Sequence, residues 1–599
     1  MPPKTKPTKA EYSIWYTLTT CVQMVWRFDK SYSVTQISLS IYDALFNFFS
    51  VYMLGYFLDL ITSRSITTLN DELFLIPFIG YGLLMLFNRI LNSYKQNVIS
   101  DFGRRFSAFL NDMLVSKRAS LELAQLDDPK TNNLSMKAND NIGKIDSYLN
   151  TVTSLQDQIF SIITALLVIL PFSVVLAALN IILAIPEYFV SKKIQRERYL
   201  QYDDNVIPRR HYSNYRSYLS QAKEVREVKL GNISNYLLSV SRSIMSIIHA
   251  KEKGLDDQRF SMRVWVGLAS ILAFTISLYT VYTDLVTGVI TIGMTTILMN
   301  QLNSLRSAFT QGFFRLNELE SQSMYLQDVF KFLNMKPSLS DGSNTIPSEI
   351  KTLEFNKLSF TYPGSNKVVL HNINLSIPHG SKVAIVGENG AGKSTLTKLL
   401  LRYYDPTTGT VEINGNSLAE FKRDDWYARI SYMPQDFNKY PFVLREVITL
   451  GEPADQFNQD RYDRALFISQ TDKLIATLTN GDQTILSPQF EGGTELSVGQ
   501  AQKVAIARVL YRPADILILD EPTSAIDAIS ELHIFNEIEK LPDSQTVILI
   551  SHRFNTVKNA DIIVVLEHGT IVESGSHDQL MNNKSRYYEM YTAQKDSYE

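Results

Sequence analysis

The sequence has few of the residues that would place it in several common protein classes. Its one cysteine, Cys21, excludes intramolecular disulfides and metal sites built from several cysteines. With 26 glycines and 20 prolines in 599 residues, the chain has less than the average share of about 12 % for these two residues, which excludes a collagen-like or low-complexity chain. The 58 basic and 61 acidic residues give a net charge of −3, so the basic excess of a dedicated nucleic-acid binder is missing.

Long apolar segments are concentrated in the first half of the chain, although the mean hydropathy of −0.06 is that of a soluble protein. A helix needs about 20 apolar residues to cross a bilayer. The segments that approach this length are residues 37–61, 73–91, 159–190, 264–282 and 292–314. Because the third is too long for one span and is broken at residues 171–173, we predict about six spans in total. Buried helices of a soluble protein are the alternative.

Basic residues are distributed unevenly over the predicted connections. The outer connections, residues 62–72, 171–173 and 283–291, contain Arg64 as their only basic residue. The inner connections, residues 92–148 and 191–263, contain basic clusters: Arg104, Arg105, Lys117, Arg118, Lys192, Lys193, Arg196, Arg198, Arg209 and Arg210. By the positive-inside rule, the N-terminus and the second half of the chain are cytoplasmic. We expect a multi-pass protein of a bacterial plasma membrane, with residues 11–28 at the membrane interface.

The two inner connections are far longer than turns, so the helices are expected to continue into the cytoplasm and reverse near residues 127–129 and 230–232. Residues 319–335 have the pattern of an amphipathic linker helix, and residues 336–348 are rich in turn formers. We therefore predict a cytoplasmic or interfacial segment (1–33), an all-α transmembrane domain (34–335), a linker (336–350) and a cytoplasmic α/β domain (351–599).

Three continuous apolar runs in the last domain end in polar residues. They are residues 383–386 before Gly387, residues 516–519 before Asp520, and residues 547–550 before Ser551. Such runs are typical of parallel strands that are covered on both faces. Ligands of open α/β sheets bind beyond the carboxyl ends of the strands, and all three sets of polar residues fall there.

The first of these runs leads into a motif of the form G-x-x-x-x-G-K-[ST]. In such a loop the glycines let backbone N–H groups face the phosphates, Lys393 reaches the β and γ oxygens, and Ser394 ligates Mg²⁺. A chance glycine loop is the alternative, but the buried strand before it and the helical pattern after it argue against chance. The predicted phosphate-binding residues are Gly387, Glu388, Asn389, Gly390, Ala391, Gly392, Lys393, Ser394 and Thr395.

The other two runs supply candidate catalytic groups. Asp520 could hold Mg²⁺ through water, and Glu521 could orient or deprotonate the attacking water. His552 would contact the γ-phosphate. A carboxylate pair that caps a turn and a structural histidine are the alternatives.

Residues 496–500 (LSVGQ), which lie about 20 residues before Asp520, resemble the LSGGQ signature of ATP-binding cassette (ABC) proteins. Tyr362 is similar to the adenine-stacking aromatic residue of that family, Gln435 to the glutamine of its Q-loop, and residues 524–527, ending in Asp527, to its D-loop. Order and spacing match throughout residues 351–599, and the preceding spans resemble those of the exporter half-transporters.

This resemblance implies that ATP binds between two chains, against Lys393 of one and Ser497, Gly499 and Gln500 of the other. It also implies that Glu521, His552 and Gln435 take part in hydrolysis. Asp527 would belong to the same ATP site, and Gln435 would ligate Mg²⁺ together with Ser394 and Asp520. Val498 departs from the family's glycine, but we expect a working signature. Since Glu521, His552 and Ser497 are retained, a homodimer is favoured, and a heterodimer is the alternative.

The resemblance extends most closely to exporters of lantibiotics and other small bacterial peptides, on residues 223–226 (KEVR) and 514–525. We therefore predict ATP-driven export of a small peptide or amphipathic cargo, in contact with membrane lipids, with no nucleic-acid partner. Cys21 lacks room for the peptidase domain of some relatives, so the chain is not expected to cleave its cargo. A lipid flippase or multidrug exporter shares this architecture, and a soluble cassette ATPase is an alternative from another class.

Three acidic residues lie near the inner ends of the predicted spans: Asp43, Asp157 and Glu187. Carboxylates at membrane depth are costly and usually face a bundle interior or water. We predict that they make the inner side of the translocation path acidic. Helices that extend below the bilayer, leaving these groups solvated or paired with Lys192 or Arg263, are the alternative.

Overall fold

The computed structural model describes residues 14–62, 72–220, 222–450, 452 and 456–596. Arg64 and most of the first predicted outer connection lie outside these residues. The chain divides into two compact units. The first comprises Met1–Leu121 and Asp128–Lys336, and the second comprises Glu122–Asp127 and Pro337–Glu599.

The first unit is helical, as the apolar segments predict. Its helices, together with α4 of the second unit, are α1 (Ile14–Phe28), α2 (Lys30–Thr62), α3 (Glu72–Ala119), α4 (Leu123–Asp127), α5 (Pro129–Asn141), α6 (Lys144–Ile169), α7 (Val174–Ser220), α8 (Ala222–Leu230), α9 (Ser234–Val286) and α10 (Ile292–Leu333).

The six predicted spans fall within α2, α3, α6, α7, α9 and α10, and the break at residues 171–173 separates α6 from α7. Among the described residues, four helical stretches are apolar and long enough to cross a membrane: Lys30–Thr62, Leu75–Ala119, Lys144–Ile169 and Val174–Ser220. The 53-residue α9 measures about 80 Å at ~1.5 Å per residue, far more than a hydrocarbon core of ~30 Å. The expected linker helix at residues 319–335 is the last part of α10, because no proline interrupts residues 292–333.

The interior of the helical unit combines apolar packing with hydrogen bonds between helices. One cluster brings together small and branched side chains of α6, α7, α9 and α10, including Ala165, Ala177 and Leu302. Within the same region, the buried Asn180 of α7 donates its Nδ2 to Ser277 Oγ of α9 at 3.0 Å. Such a bond fixes the register of two long helices, since a shift of either helix would leave a buried polar group without its partner.

A close contact joins α2 to the start of α10. Asp59 of α2 accepts hydrogen bonds from Gly293 N at 2.7 Å and from Thr291 Oγ1 at 2.8 Å, so its carboxylate lies at the positive end of α10. A Cβ atom at Gly293 would lie 2.1 Å from the carbonyl oxygen of Gly55. The approach of the two helices therefore requires glycine at this position.

The second unit contains two sheets. Its strands are β1 (Thr352–Thr361), β2 (Val368–Pro378), β3 (Lys382–Val386), β4 (Thr408–Ile413), β5 (Asn416–Ser417), β6 (Ile430–Met433), β7 (Ile516–Asp520), β8 (Thr546–Ile550), β9 (Ile562–Glu567) and β10 (Thr570–Gly575). The larger sheet has the order β10-β9-β3-β8-β7-β6 and the smaller one β2-β1-β4-β5.

The three apolar runs are neighbouring parallel strands, as predicted. Ile385 of β3 pairs with Ile550 of β8, and Leu519 of β7 pairs with Leu549 of β8. All five residues of β7 and of β8 are buried. Because parallel strands end at the same edge of a sheet, the segments after β3, β6, β7 and β8 meet there.

The helices of this unit cover the sheets. They are α11 (Lys393–Leu400), α12 (Arg423–Ala428), α13 (Leu444–Ile448), α14 (Gln459–Ser469), α15 (Thr471–Thr477), α16 (Val498–Tyr511), α17 (Ala528–Glu539), α18 (Phe554–Val557), α19 (His577–Asn583) and α20 (Arg586–Asp596).

The segment Glu122–Asp127, which contains α4, packs within this second unit. Glu122 is buried and accepts hydrogen bonds from Ser338 N at 2.7 Å and from Arg423 Nη1 at 2.8 Å. Tyr404 donates its hydroxyl to Asp127 Oδ2 at 2.7 Å. A short piece of the first long inner connection is thus part of the α/β unit.

Replacing Gly293 by alanine tests the contact between α2 and α10. We expect Gly293→Ala to destabilise the helical unit by about 1–3 kcal/mol, the usual range for overpacking, because the added methyl group meets backbone. Gly82→Ala on α3 is the matched control, since a Cβ there meets nothing within 4 Å. Fluorescence-detected size exclusion after heating gives both melting temperatures. Equal melting temperatures for the two variants would contradict the close contact.

Candidate functional site

The loop between β3 and α11 has the backbone of a phosphate cradle. Gly390 and Gly392 have φ values of +84° and +108°, which other residues adopt only with strain. A Cβ at Gly392 would lie 2.7 Å from Leu370 Cδ2. The loop is joined to the turn between β9 and β10 through the hydrogen bond from Gly569 N to Ala391 O, and Glu388 at its exposed side pairs with Arg586 at 2.5 Å.

Lys393 closes this loop from the inside. Its Nζ donates to the carbonyl oxygens of Gly387 at 2.7 Å and Glu388 at 3.0 Å. Burial lowers the pKa of Lys393, although the charges of Glu521 and Asp520 oppose the shift. The ammonium group is therefore held at the N-terminus of α11, where a phosphate would be bound, while Ser394 remains exposed.

Two acidic side chains lie at the carboxyl end of β7. Asp520 is only 5 % exposed. Burial, with the neighbouring Glu521 carboxylate adding to it, raises the pKa of Asp520 to about 6, although Lys393 opposes the shift. Glu521 follows with a φ of +49°, an uncommon conformation for a residue other than glycine. That backbone is stabilised by a hydrogen bond from Glu521 N to Ile550 O at 2.9 Å.

The structure brings Gln435 and His552 to the Glu521 carboxylate. Gln435 Nε2 donates to Glu521 Oε2 at 2.9 Å, and His552 Nδ1 lies 3.1 Å from Glu521 Oε1. The three side chains come from the segments after β6, β7 and β8, which the strand order predicted to meet. Gln435 and His552 are exposed, whereas the Glu521 side chain is 15 % exposed. A carboxylate held by two neighbours at the edge of a phosphate cradle has the geometry of a general base or water-orienting group.

Sequence reasoning missed the residue that supports this turn. Gln502 of α16 is 1 % exposed. Its Nε2 donates to Glu521 O and to Ser524 Oγ, both at 3.2 Å, and its Oε1 accepts from Ala525 N at 2.9 Å. Since all these partners lie about 20 residues away along the chain, no local signal identifies the role.

A second missed network holds the segment after Glu521. Glu531 of α17 accepts from Thr523 Oγ1 at 2.7 Å and from Arg553 Nη1 at 2.5 Å. Arg553 also donates to Ser524 O at 3.3 Å. These contacts connect the residues after β7 with those after β8, so Glu521 and His552 are supported as one assembly.

Tyr362 lies beside the phosphate loop. Its hydroxyl is 3.0 Å from Thr395 Oγ1, and Lys398 Nζ lies 5.5 Å from the ring centroid. Phe360 and Tyr404 pack edge-on against the ring, with centroids at 4.9 and 5.3 Å. The ring is half-buried, so part of it is accessible to a ligand. Stacking of this ring on adenine stays a prediction.

The signature residues occupy the N-terminus of α16. Ser497 Oγ accepts from Gln500 N at 3.2 Å, and Gln500 Oε1 accepts from Ser497 N at 2.9 Å, which forms a reciprocal cap. Asp527 caps α17 in one direction only, by accepting a hydrogen bond from Ser530 N at 2.9 Å. Among the described residues, the hydrogen bonds of these three side chains do not reach the phosphate loop.

Comparison with known proteins agrees with this geometry. Residues 370–524 match the family model described as ABC transporter. The nisin transport ATP-binding protein NisT of Lactococcus lactis subsp. lactis is 26 % identical over 589 residues, covering 97 % of this chain and 96 % of the relative. The chain is an ABC exporter half-transporter.

The fold of the half-transporter is that of a bacterial Atm1-family ABC exporter solved with ATP bound, with a TM-score of 0.80 and 21 % identity over 97 % of this chain and 98 % of the other. The subtilin transport ATP-binding protein SpaT of Bacillus subtilis is 25 % identical, over 95 % of the chain and 92 % of the relative. The ATP-dependent lipid A-core flippase of Escherichia coli (strain K12) is 30 % identical, over 62 % of the chain and 61 % of the relative.

The half-transporter therefore has the predicted fold class, an all-α membrane domain fused to an α/β P-loop domain. It binds ATP and couples ATP hydrolysis to transport, and as a half-transporter it works as a pair of chains. The nearly full-length similarity to two proteins named for transport, together with the four apolar helical stretches, argues against the alternative of a soluble cassette ATPase.

Substituting Asp520 tests the buried charge. Above pH 6 the folded state holds a buried carboxylate that the unfolded state exposes to water. We therefore expect Asp520→Asn to stabilise the nucleotide-free protein at pH 8 by about 3 kcal/mol, the cost of raising the pKa from 3.8 to about 6 at about 1.4 kcal/mol per pKa unit. The gain should shrink as the pH falls from 6 towards 4, where Asp520 itself is protonated. Melting temperatures across this range measure it, with Asp543→Asn, an exposed position, as the control. A gain that is independent of pH would contradict the raised pKa.

Substituting Tyr362 tests adenine stacking. Base–aromatic stacking is worth about 1–3 kcal/mol in nucleic-acid sites, so Tyr362→Ala should weaken ATP binding about tenfold and Tyr362→Trp should preserve it. Tyr362→Phe, which removes only the hydroxyl that contacts Thr395, separates stacking from that hydrogen bond. Equilibrium binding of a fluorescent ATP analogue gives the three affinities. If alanine and tryptophan bind alike, the ring does not stack on the base.

Proposed function

We propose that the protein exports a small peptide across the plasma membrane of a bacterial cell, as a homodimer that binds ATP and Mg²⁺. The observation that carries the catalytic part is the Gln435, Glu521 and His552 cluster beside the Lys393 loop. The full-length similarity to two proteins named for nisin and subtilin transport supports a peptide cargo.

In this proposal Glu521 orients or deprotonates the attacking water, and His552 and Gln435 hold its carboxylate. Both carboxylate oxygens have a partner, so the group is fixed before substrate binds. Lys393 neutralises phosphate charge once it exchanges the carbonyl oxygens of Gly387 and Glu388 for phosphate oxygens.

The oxygen donors near the loop fit Mg²⁺. Ser394 has an exposed side chain, Gln435 has an amide oxygen not used toward Glu521, and Asp520 is a buried carboxylate with a raised pKa. Among the described residues Asp520 forms no direct ion pair, and the charge of Lys393 compensates its burial only in part. Oxygen ligands of this kind are those that Mg²⁺ prefers, and when bound it would neutralise phosphate charge.

The second chain is proposed from the position of the signature. Ser497 and Val498 are exposed at the start of α16, where backbone N–H groups and the helix dipole favour an anion. We infer that this helix end completes the ATP site of an identical partner chain, which places Ser497, Gly499 and Gln500 of one chain opposite Lys393 of the other. Asp527 would lie at the same interface.

The orientation is proposed from charge. The inner connections contain the basic residues, so the N-terminus and the α/β unit are placed in the cytoplasm. Lipid transport is the second candidate, because the lipid A-core flippase is 30 % identical over 62 % of this chain. The narrower extent of that similarity favours peptide.

Glu521→Gln separates binding from hydrolysis. The amide retains the size of the side chain and its Oε1 can accept from Gln435, but it cannot take a proton. We expect steady-state ATP hydrolysis in lipid nanodiscs to fall at least 100-fold while ATP affinity stays within about threefold. Lys393→Ala should instead weaken ATP binding itself. Glu420→Gln, at an exposed position, is the matched control; hydrolysis by Glu521→Gln at the control's rate would overturn the assignment.

Cargo class is tested with inside-out vesicles. ATP-dependent accumulation of labelled synthetic peptides, absent in Glu521→Gln, supports peptide export. Translocation of a fluorescent lipid without peptide accumulation would establish the flippase function instead.

A further inference from the structure

A polar cavity of about 250 Å³ lies within the helical unit, between α2, α3 and α6. Its lining includes Ser40 and Asp43 of α2, Asn88 and Asn92 of α3, and Asp157 of α6. All three helices contain stretches that are apolar and long enough to span a membrane. A cavity lined by oxygen-bearing side chains is unusual in such helices, because polar groups at membrane depth are costly.

The charges at this cavity do not balance. Lys95 of α3 forms an ion pair with Asp43 at 2.6 Å, with both side chains largely shielded from solvent. Asp157, when ionised, adds a second negative charge. Among the ion pairs formed by the described residues none includes Asp157, and its Oδ1 atom is buried without a hydrogen-bond partner. With one cation and two carboxylates, the cavity has a net charge of −1.

Ser40 gives a second indication of a ligand. The residue is 1 % exposed, and its side chain lines the cavity. The hydroxyl lies close enough to Asp157 to interact with its carboxylate, but Ser40 Oγ and Asp157 Oδ1 do not form a hydrogen bond of normal geometry with each other or with another group. Buried polar atoms without partners are rare in folded proteins, so two of them at one cavity indicate a group that would supply donors.

We propose that this cavity binds a monovalent cation, and that in transport the cation is a primary ammonium group of the cargo. An ammonium carries one positive charge and three N–H donors. It would neutralise Asp157, donate to Asp157 Oδ1 and Ser40 Oγ, and find a third acceptor among the asparagine oxygens. The assignment to cargo rests on the proposed peptide export, whereas the cation site does not.

The size of the cavity agrees with this occupant. A water molecule takes up about 30 Å³ in the liquid, so a space of about 250 Å³ holds an aminoalkyl group rather than a folded peptide. The site would therefore select one positively charged group of a longer chain. Glu187, the third predicted acidic residue, does not line this cavity, and Lys192 pairs with Glu320 at 3.3 Å.

Carbodiimide labelling tests the cation site on the full-length protein in nanodiscs. Dicyclohexylcarbodiimide modifies protonated carboxyl groups within membranes, and mass spectrometry locates the adduct. We expect n-butylammonium chloride to slow modification of Asp157 at least fivefold relative to tetramethylammonium chloride at the same concentration, since the latter has no N–H donor. Ser40→Ala should reduce this protection, and Asp112→Asn, at an exposed position of α3, should leave it unchanged.

The outcomes separate the sources of the cation. Equal labelling in both salts would overturn the site, because Asp157 then holds a proton instead of an ammonium. Protection by sodium chloride that equals protection by butylammonium would support a cation site and overturn its assignment to the cargo.

A peptide pair tests the cargo directly. A synthetic amphipathic peptide with lysines should stimulate wild-type ATP hydrolysis at a concentration at least fivefold below that of its lysine-acetylated form, and Asp157→Asn should remove the difference. If the two forms act alike on the wild type, the cargo assignment fails. If neither form stimulates hydrolysis while butylammonium still protects Asp157, peptide export fails and the cation site stands.

Discussion

Two adjacent carboxylates at the end of a buried strand must be stabilised by the residues of the candidate ATP site around them. Asp520 and Glu521 repel each other, and burial of Asp520 makes its negative charge more costly. The arrangement is tolerable because Lys393 lies opposite and because Glu521 turns away through a left-handed backbone. This backbone turn depends on Gln502, whose side chain donates a hydrogen bond to Glu521 O and accepts one from Ala525 N. The position of Glu521 is therefore supported from α16, the helix that begins at the signature residues.

Buried polar groups of the helical unit also need hydrogen-bond partners, and water is less able to provide them there. Polar groups within long apolar helices must find partners in the protein. Asp59 does so at the start of α10, and Asn180 does so against Ser277. Each of these bonds also fixes the register of two helices. The cavity at Asp157 differs in that two neighbouring side chains, through Asp157 Oδ1 and Ser40 Oγ, are left without partners at one place, whereas Asn180 lacks a partner only at its Oδ1.

Much of this organisation could be predicted from local sequence. The phosphate loop, the strands before Asp520 and Ser551, and the breaks at residues 127–129, 171–173 and 230–232 follow from glycine, proline and apolar periodicity. Parallel strand order then brings Gln435, Glu521 and His552 together. The contacts of Gln502 and of Glu122 could not be predicted, because their partners lie about 20 and more than 200 residues away and depend on tertiary packing. The sequence predicted a span at residues 292–314 and a separate linker helix at residues 319–335, whereas the structure has one helix, α10. The two were separated because the first stretch is apolar and the second amphipathic, but a single helix can contain both patterns.

The one departure of the signature from the family pattern has a local physical explanation. Val498 is the first residue of α16, and its side chain is 58 % exposed, so replacing glycine there fills no occupied space. Gly499 is different, because a Cβ at that position would lie 2.6 Å from the carbonyl oxygen of Ala525. That carbonyl belongs to the residue whose N–H Gln502 holds, so a larger residue at 499 would push on the segment that positions Glu521. Of the two positions, only 499 is constrained to glycine by the fold of this chain, and a valine at 498 leaves the cap formed by Ser497 and Gln500 intact.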